Sequence, residues 1–423
     1  METKLYTWDN GLRLVVTPMP GFKSVAFSMM IMSGSGDETK DEQGLSHFCE
    51  HMLFKGTTNR TGQQIIDEFS RLGVYYNAWT SECATCYYTK SIAENLESCV
   101  DLYSDMYFNT KFEEDDFDKE GDVIVQEIAM HEDNPTSVMY DRLNQVFYRG
   151  TKYEHPVAGY ADAIKKYKPE DIHKYIRKHY RPQNTIISFA GDITIERAQE
   201  LVAKYFISRK PVYGSLELLV PLYEAPVAPK QRENVPAINP APTRLQVKKD
   251  TEQQHVALAI PVCNQYHDDR YALSLFRLLL GGDMSSRLFI NVREKLGLVY
   301  SIHAEVEFCD IGGNLKVIFS CTPQNTQKVI DVVCQEIQTL LQEGITAEEL
   351  DKYRNQWHMQ HLFGSEITNK VNGRASETVA IHNRVISIEE ELKIIDSLTI
   401  DDINQVIKKY LSTDKIITVI VGK

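Results

Sequence analysis

Between Gly44 and the turn Gly56-Thr57-Thr58, the apolar residues Leu45, Phe48, Cys49, Met52 and Leu53 recur at helical spacing, which predicts an amphipathic helix over 44–54. At 100° per residue these positions share one side, while His47, Glu50, His51 and Phe54 share the other. A second helical pattern runs from Glu114 to Glu132, with Phe117, Ile124 and Ile128 in its stripe and Glu120, Glu127 and His131 along its edge. Further helices are predicted over Asn95–Tyr107 and Asn325–Leu341, and strands over Leu12–Val16, Thr185–Ala190 and Ile416–Val421. Helical and strand patterns alternate in both halves of the chain, so the fold class is α+β.

The halves also resemble each other. Asp171–Gly191 laid on Asp402–Gly422 without gaps gives six identities, at 171/402, 172/403, 176/407, 178/409, 186/417 and 191/422. Leu72-Gly73 with Tyr76 is echoed by Leu296-Gly297 with Tyr300. Such echoes predict a duplicated unit. Seven of the fifteen prolines fall between positions 211 and 242, the mark of a linker. The expected organisation is a metal-binding domain at 1–212, a proline-rich linker at 213–243 and a related domain without metal at 244–423. A similar offset sets His47, Glu50 and His51 opposite Leu273, Phe276 and Arg277, so only the first half can carry a metal.

Composition narrows the function classes. A formal net charge of −13 argues against nucleic acid as partner and fits basic peptides better. No apolar run is long enough to cross a bilayer, and the N-terminus has neither a basic region nor an apolar secretory core. The cytoplasm is the expected location, with an organellar matrix after loss of a transit peptide as the alternative. The eight cysteines form no compact framework and read as small buried groups of a reduced compartment. Cys83 and Cys86 stand in a strand-like run where residues three apart face opposite sides, which speaks against a shared ligand.

The chemistry lies in the first helix. Two imidazoles one turn apart suit Zn²⁺, and the carboxylate of Glu50 between them can reach a water on the metal without itself binding it. A catalytic zinc needs a third protein ligand and an open fourth position. Glu120 and Glu127 both qualify, because half-buried carboxylates require a positive partner. Spacing alone does not separate them.

Together these residues resemble the pitrilysin and mitochondrial processing peptidase family, nearest to its bacterial two-domain members, and the resemblance spans nearly the whole chain. His47-x-x-Glu50-His51, followed after 75 residues by Glu127, matches the family's metal pattern, and Glu120 matches its accompanying acid. The resemblance therefore implies one Zn²⁺ per chain on His47, His51 and Glu127, with Glu50 as general base and Glu120 orienting a histidine. Asn77-Ala78-Trp79-Thr80-Ser81 resembles the family's substrate-pairing edge strand, and Gly281–Phe289, leading to Arg293 and Tyr300, its second-half signature. Two related α/β domains, each a mainly antiparallel sheet flanked by helices, would form half of a clamshell around a chamber. A homodimer with shared active sites is implied, with Arg293 and Tyr300 serving a substrate carbonyl or oxyanion. The expected function is zinc-dependent endopeptidase action on extended or presequence-like peptides. The alternative, a clamp or partner subunit that binds peptides without cleaving, would use zinc structurally, close its fourth position and have no need of Glu50.

Overall fold

The structure, a computed structural model, describes residues 1–208 and 238–423, so most of the expected linker at 213–243 lies outside the described residues. The described chain falls into two compact units. The first takes Met1–Ala129, 155–208 and Phe363–Ser387; the second takes Met130–Glu154, 238–362 and Ile388–Lys423. Each unit thus includes a segment from beyond the boundaries expected at 212 and 244.

In the first unit β1 (Lys4–Thr7), β2 (Arg13–Pro18), β3 (Ser24–Ile31), β4 (Tyr75–Thr80), β5 (Thr85–Ile92) and β6 (Thr185–Gly191) form one sheet in the order β1-β2-β6-β3-β5-β4. Only β2 and β6 run parallel; the other neighbours are antiparallel. In the second, β7 (Arg244–Val247), β8 (Gln254–Val262), β9 (Ile302–Cys309), β10 (Gly312–Cys321) and β11 (Ile417–Val421) take the order β7-β11-β8-β10-β9. Again one pair, β7 and β11, is parallel. Apart from the additional edge strand β1, the two sheets repeat one topology, as the internal echoes predict: β6 and β11 each follow a helix, Pro169–His179 and Ile400–Tyr410. Gly73 and Gly297 both adopt left-handed φ, +63° and +60°, at the same place in the repeated motif.

The central strands are apolar on both faces because both faces are covered. Phe27, Met29 and Ile31 of β3 point into the core beneath α1 (Leu45–Leu53), α2 (Gly62–Leu72) and α3 (Ala93–Asn109). Met30, with Val15 and Ile186, points the other way and meets Ala375 and Val379 of the helix Thr368–His382. That helix comes close because Ala26, Ser28, Ser188 and Ala190 are small and buried, and Asn372 donates to Ser28 Oγ at 2.8 Å. Each large apolar side chain buried there contributes about 1.5–3 kcal/mol. The second sheet repeats the device: Val256, Leu258 and Ile260 face its main core, while the alternate positions His255, Ala257 and Ala259 face the other side. There Thr136, next to the start of α5 (Pro135–Phe147), lies 3.1 Å from His255 Nδ1.

Two helices matter most for the site. α1 buries Leu45, Ser46, Phe48, Cys49, Met52 and Leu53, and α4 (Glu114–Asp133) buries Phe117, Glu120 and Ile124. Phe48 stacks on Phe117 with ring centroids 4.8 Å apart, pinning α1 to α4. Cys49 is fully buried, as its position in the stripe predicts, and burial pushes its thiol well up. Cys83 is found in the turn between β4 and β5, not in a strand, whereas Cys86 lies within β5, and neither is in a disulfide. The strand ends at Thr80, before Cys83, because Ser81 takes up turn geometry and closes on Ala84. Among the described residues no helix is long and apolar enough to cross a membrane.

Candidate metal centre

Helical spacing places His47 and His51 one turn apart on the face of α1 that does not enter the core, their ring centroids 4.6 Å apart. Glu127 arrives from α4: its Oε2 lies 3.8 Å from His47 Nε2 and 3.7 Å from His51 Nε2. All three donor atoms lie within 4.8 Å of one another, the one such group among the described residues. Bonds of 2.0–2.1 Å to a tetrahedral zinc would put ligand atoms about 3.3 Å apart. The two carboxylate–imidazole separations exceed that by about half an ångström, and two imidazole nitrogens with a carboxylate oxygen are a donor set that suits zinc.

Glu120, two helical turns before Glu127 on α4, plays a different part. His51 Nδ1–H donates to Glu120 Oε1 at 2.7 Å, which leaves the Nε2 lone pair turned towards the ligand cluster. Lys55 pairs with the other carboxylate oxygen. Burial pulls the Glu120 carboxyl upward, but the hydrogen bonds from His51 and Lys55 outweigh it and hold the group below its ordinary value. The geometry therefore separates the two acids that spacing left equivalent. Lys55 was missed in the sequence, although His47, His51 and Lys55 recur every fourth residue and so extend one helix face.

Glu50 stays outside the ligand group. Its Oε2 accepts from Thr80 Oγ1 at 2.6 Å. Burial raises its carboxyl from the ordinary value, against the lowering pull of the hydrogen bond from the Thr80 hydroxyl. Thr80 is the last residue of β4, which lies at the end of the sheet. Along β4 the side chains alternate. Tyr76, Ala78 and Thr80 turn to the α1 side, where Tyr76 stacks on Phe69 at 4.3 Å; Asn77 and Trp79 turn to the exposed side. Asn77 Oδ1 also accepts the Ala78 N–H at 2.8 Å.

The turn after β4 is fastened to the segment before α1. Ser81 O accepts from Ser35 N at 3.1 Å, and Glu82 O accepts from Gly36 N at 2.9 Å. Gly34 makes this approach possible, because a Cβ there would stand 2.0 Å from Ser81 O.

Arg293 and Tyr300 belong to the second unit. The Arg293 guanidinium lies 4.5 Å from the Phe289 ring centroid and 5.6 Å from that of Tyr300, and Tyr300 is 82% exposed. The preceding signature is structural in this unit: Asp283 accepts from the Ser285 amide and hydroxyl, and Arg287 pairs with Glu336 and Glu349. At the positions set opposite the metal residues, Leu273 and Phe276 are buried in the second core.

A histidine pair on one helix, a glutamate from a second and a separate carboxylate beside them form a donor set of the metallopeptidase class. The family profile described as insulinase (peptidase family M16) matches residues 14–160, and that described as peptidase M16 inactive domain matches 166–357. A Bacillus subtilis protein named an uncharacterized zinc protease is 30% identical over 411 residues, covering 97% of this chain and 96% of its own. A Mycobacterium tuberculosis protein with the same description is 30% identical over 406 residues, 96% of this chain and 90% of its own. Among solved structures, a Helicobacter pylori protease superposes with a TM-score of 0.88 at 23% identity, covering 100% of this chain and 99% of that one. This chain belongs to peptidase family M16, the pitrilysin family, as a two-domain member of the bacterial type.

Proposed function

We propose that this protein is a zinc-dependent endopeptidase, with one ion held by His47, His51 and Glu127 and with Glu50 as general base. The observation that carries this reading is the division of labour among three glutamates: Glu127 joins the ligand cluster, Glu120 orients His51, and Glu50 stands apart on the Thr80 hydroxyl. A purely structural site has no use for that third carboxylate.

Zinc bound to the cluster would supply Lewis acidity, polarising the scissile carbonyl and making water more acidic. Glu50 takes the proton of the attacking water and returns it to the leaving amine. Its partly desolvated carboxylate is a stronger base than a solvated one, and Thr80 keeps it aimed. Phe48 and Phe117 back the ligand face and hold the two ligand-bearing helices together.

The terminal position of β4 in its sheet supports main-chain pairing with an extended peptide alongside Asn77, Ala78 and Trp79. In this reading Arg293 and Tyr300 serve the substrate carbonyl from a second copy of the chain in a homodimer enclosing a chamber, the acidic balance favours basic or presequence-like peptides, and the protein works in the cytoplasm. The exposure of Tyr300 supports an external partner for its hydroxyl.

Zinc content and hydrolysis of unstructured peptides, compared for the native chain and Glu50→Gln, test the assignment. Both should hold one zinc, and the variant's kcat should fall by about 10²–10⁴. Zinc without cleavage in either protein would favour the partner-subunit reading.

A further inference from the structure

α1 carries both histidine ligands and the base, yet its own first residues cap it poorly. The N-cap position is Gly44, which has no side chain, and no local side chain takes the first amides. The end is capped from six and eight residues upstream: Glu38 Oε2 accepts the Gly44 N–H at 2.8 Å, and Glu38 Oε1 accepts the Ser46 N–H at 2.7 Å. One carboxylate thus grips two amides on the turn that immediately precedes His47.

The grip is buttressed on both sides. The Ser46 hydroxyl lies 2.6 Å from Tyr175 OH, which lies 3.2 Å from Ser33 Oγ, itself 2.8 Å from His179 Nδ1. These groups tie α1 to the helix Pro169–His179. On the other side, the segment that carries Glu38 begins at the Gly34–Gly36 stretch fastened to the turn after Thr80. Glu38 therefore sits where the support of the ligand helix meets the support of the strand that holds Glu50.

We propose that Glu38 is a positioning residue of the metal centre, fixing the axial rotation of α1 through the Gly44 and Ser46 amides and so the direction in which His47 and His51 face Glu127. A helix free to turn about its axis by 20° would carry an imidazole nitrogen about 2 Å sideways at a radius of 6 Å, more than metal coordination tolerates. Two bonds from one planar carboxylate resist that rotation better than one bond does.

The charge of Glu38 is part of the clamp, because a carboxylate accepts both amides whereas a carboxylic acid must use one oxygen as a donor. The groups facing it are Glu42, which Lys178 pairs at 3.2 Å, together with Tyr167, Tyr175 and Cys49. None of these is a cation at the carboxylate itself. Burial lifts the Glu38 carboxyl to about 7, against the pull of the Ser46 and Gly44 hydrogen bonds. The clamp consequently loosens as pH falls through neutrality.

This inference rests on the metal reading of the site, but it is tested apart from cleavage. In metal-free native protein, amide exchange corrected for intrinsic rates should show protection at Gly44 and Ser46 declining relative to Phe48 and Met52 as pH is lowered from 8 to 6. Glu38→Gln should show the low-pH protection at every pH, and its zinc dissociation constant, from chelator competition at pH 8, should rise about tenfold. Glu38→Asp, which keeps the charge, should recover part of the affinity. Unchanged Gly44 and Ser46 protection across the pH range in native protein would overturn the proposal even if the variants failed to fold. Unchanged zinc affinity in folded Glu38→Gln would overturn it equally. A protein that bound no zinc, or bound it without cleaving peptides, would sink the functional reading and leave the amide protection to judge the clamp.

Discussion

At the scale of single residues, the site depends on who holds whom more than on which residues are present. Glu50 could adopt several rotamers from a half-buried helix face, and the Thr80 hydroxyl selects one of them. A hydrogen bond to a charged group contributes about 1.5–3 kcal/mol, so Thr80→Val should lower kcat about tenfold or more while KM and zinc content stay near native. Thr80→Ser, which keeps the hydroxyl, should remain within about threefold of native. Equal rates for native protein and Thr80→Val would show that the base needs no help from β4. The sequence displayed Thr80 inside the edge-strand signature, but nothing in its spacing tied it to a residue thirty positions earlier. Alternation along β4 makes the link: the face that receives Tyr76 and Ala78 also receives Thr80.

Elements set the next level, and here burial produces a pH response. His179 ends the helix Pro169–His179, 8% exposed, stacked on Tyr175 with centroids 4.2 Å apart. Burial, with Lys178 nearby, lowers its imidazole from 6.5 to about 4. Between those values the unfolded chain binds a proton that the folded chain refuses. Its contribution to stability is therefore complete above pH 6.5 and is lost as pH falls towards 4. The loss over that window is about 3 kcal/mol at most. Native protein should lose stability to urea relative to His179→Gln as pH drops from 7 to 4.5. A constant difference between the two would show that His179 is not kept neutral by the fold. The repeat that contains this helix was legible in the sequence, but the Ser33 bond joins residues 146 positions apart.

For the whole molecule the consequential feature is repetition with one site. Both sheets share an order and a parallel pair, yet Leu273 and Phe276 fill the second core where His47 and Glu50 line the metal face of the first. One candidate centre among the described residues makes the proposed shared site in a homodimer testable by mixing. Glu50→Gln and Arg293→Ala chains, each nearly inactive, should together recover about a quarter of native activity, since random pairing makes half the dimers mixed with one competent site of two. No recovery in demonstrated heterodimers would confine Arg293 to its own chain. Cleavage of basic peptides should also slow as salt rises, because a net charge of −13 steers them at long range; a flat response would remove charge from the account.

Local pattern was enough to determine the amphipathic helix at 44–54, the acid-edged helix that supplies Glu120 and Glu127, the duplicated motif and the placement of Cys49 in the core. Each follows from periodicity, which the chain carries in every few residues. The sequence left Glu120 and Glu127 equivalent by spacing, gave no sign of Glu38 beneath the ligand helix, and put Cys83 in a strand. Tertiary structure decided these, because roles there depend on contacts between α1, α4 and β4 that no local period encodes. It also decided that Thr368–His382 and α5 cover sheets from the other half of the chain. The small residues Ala26, Ser28, Ala257 and Ala259 show that a helix lies close on those faces, but only packing says which one.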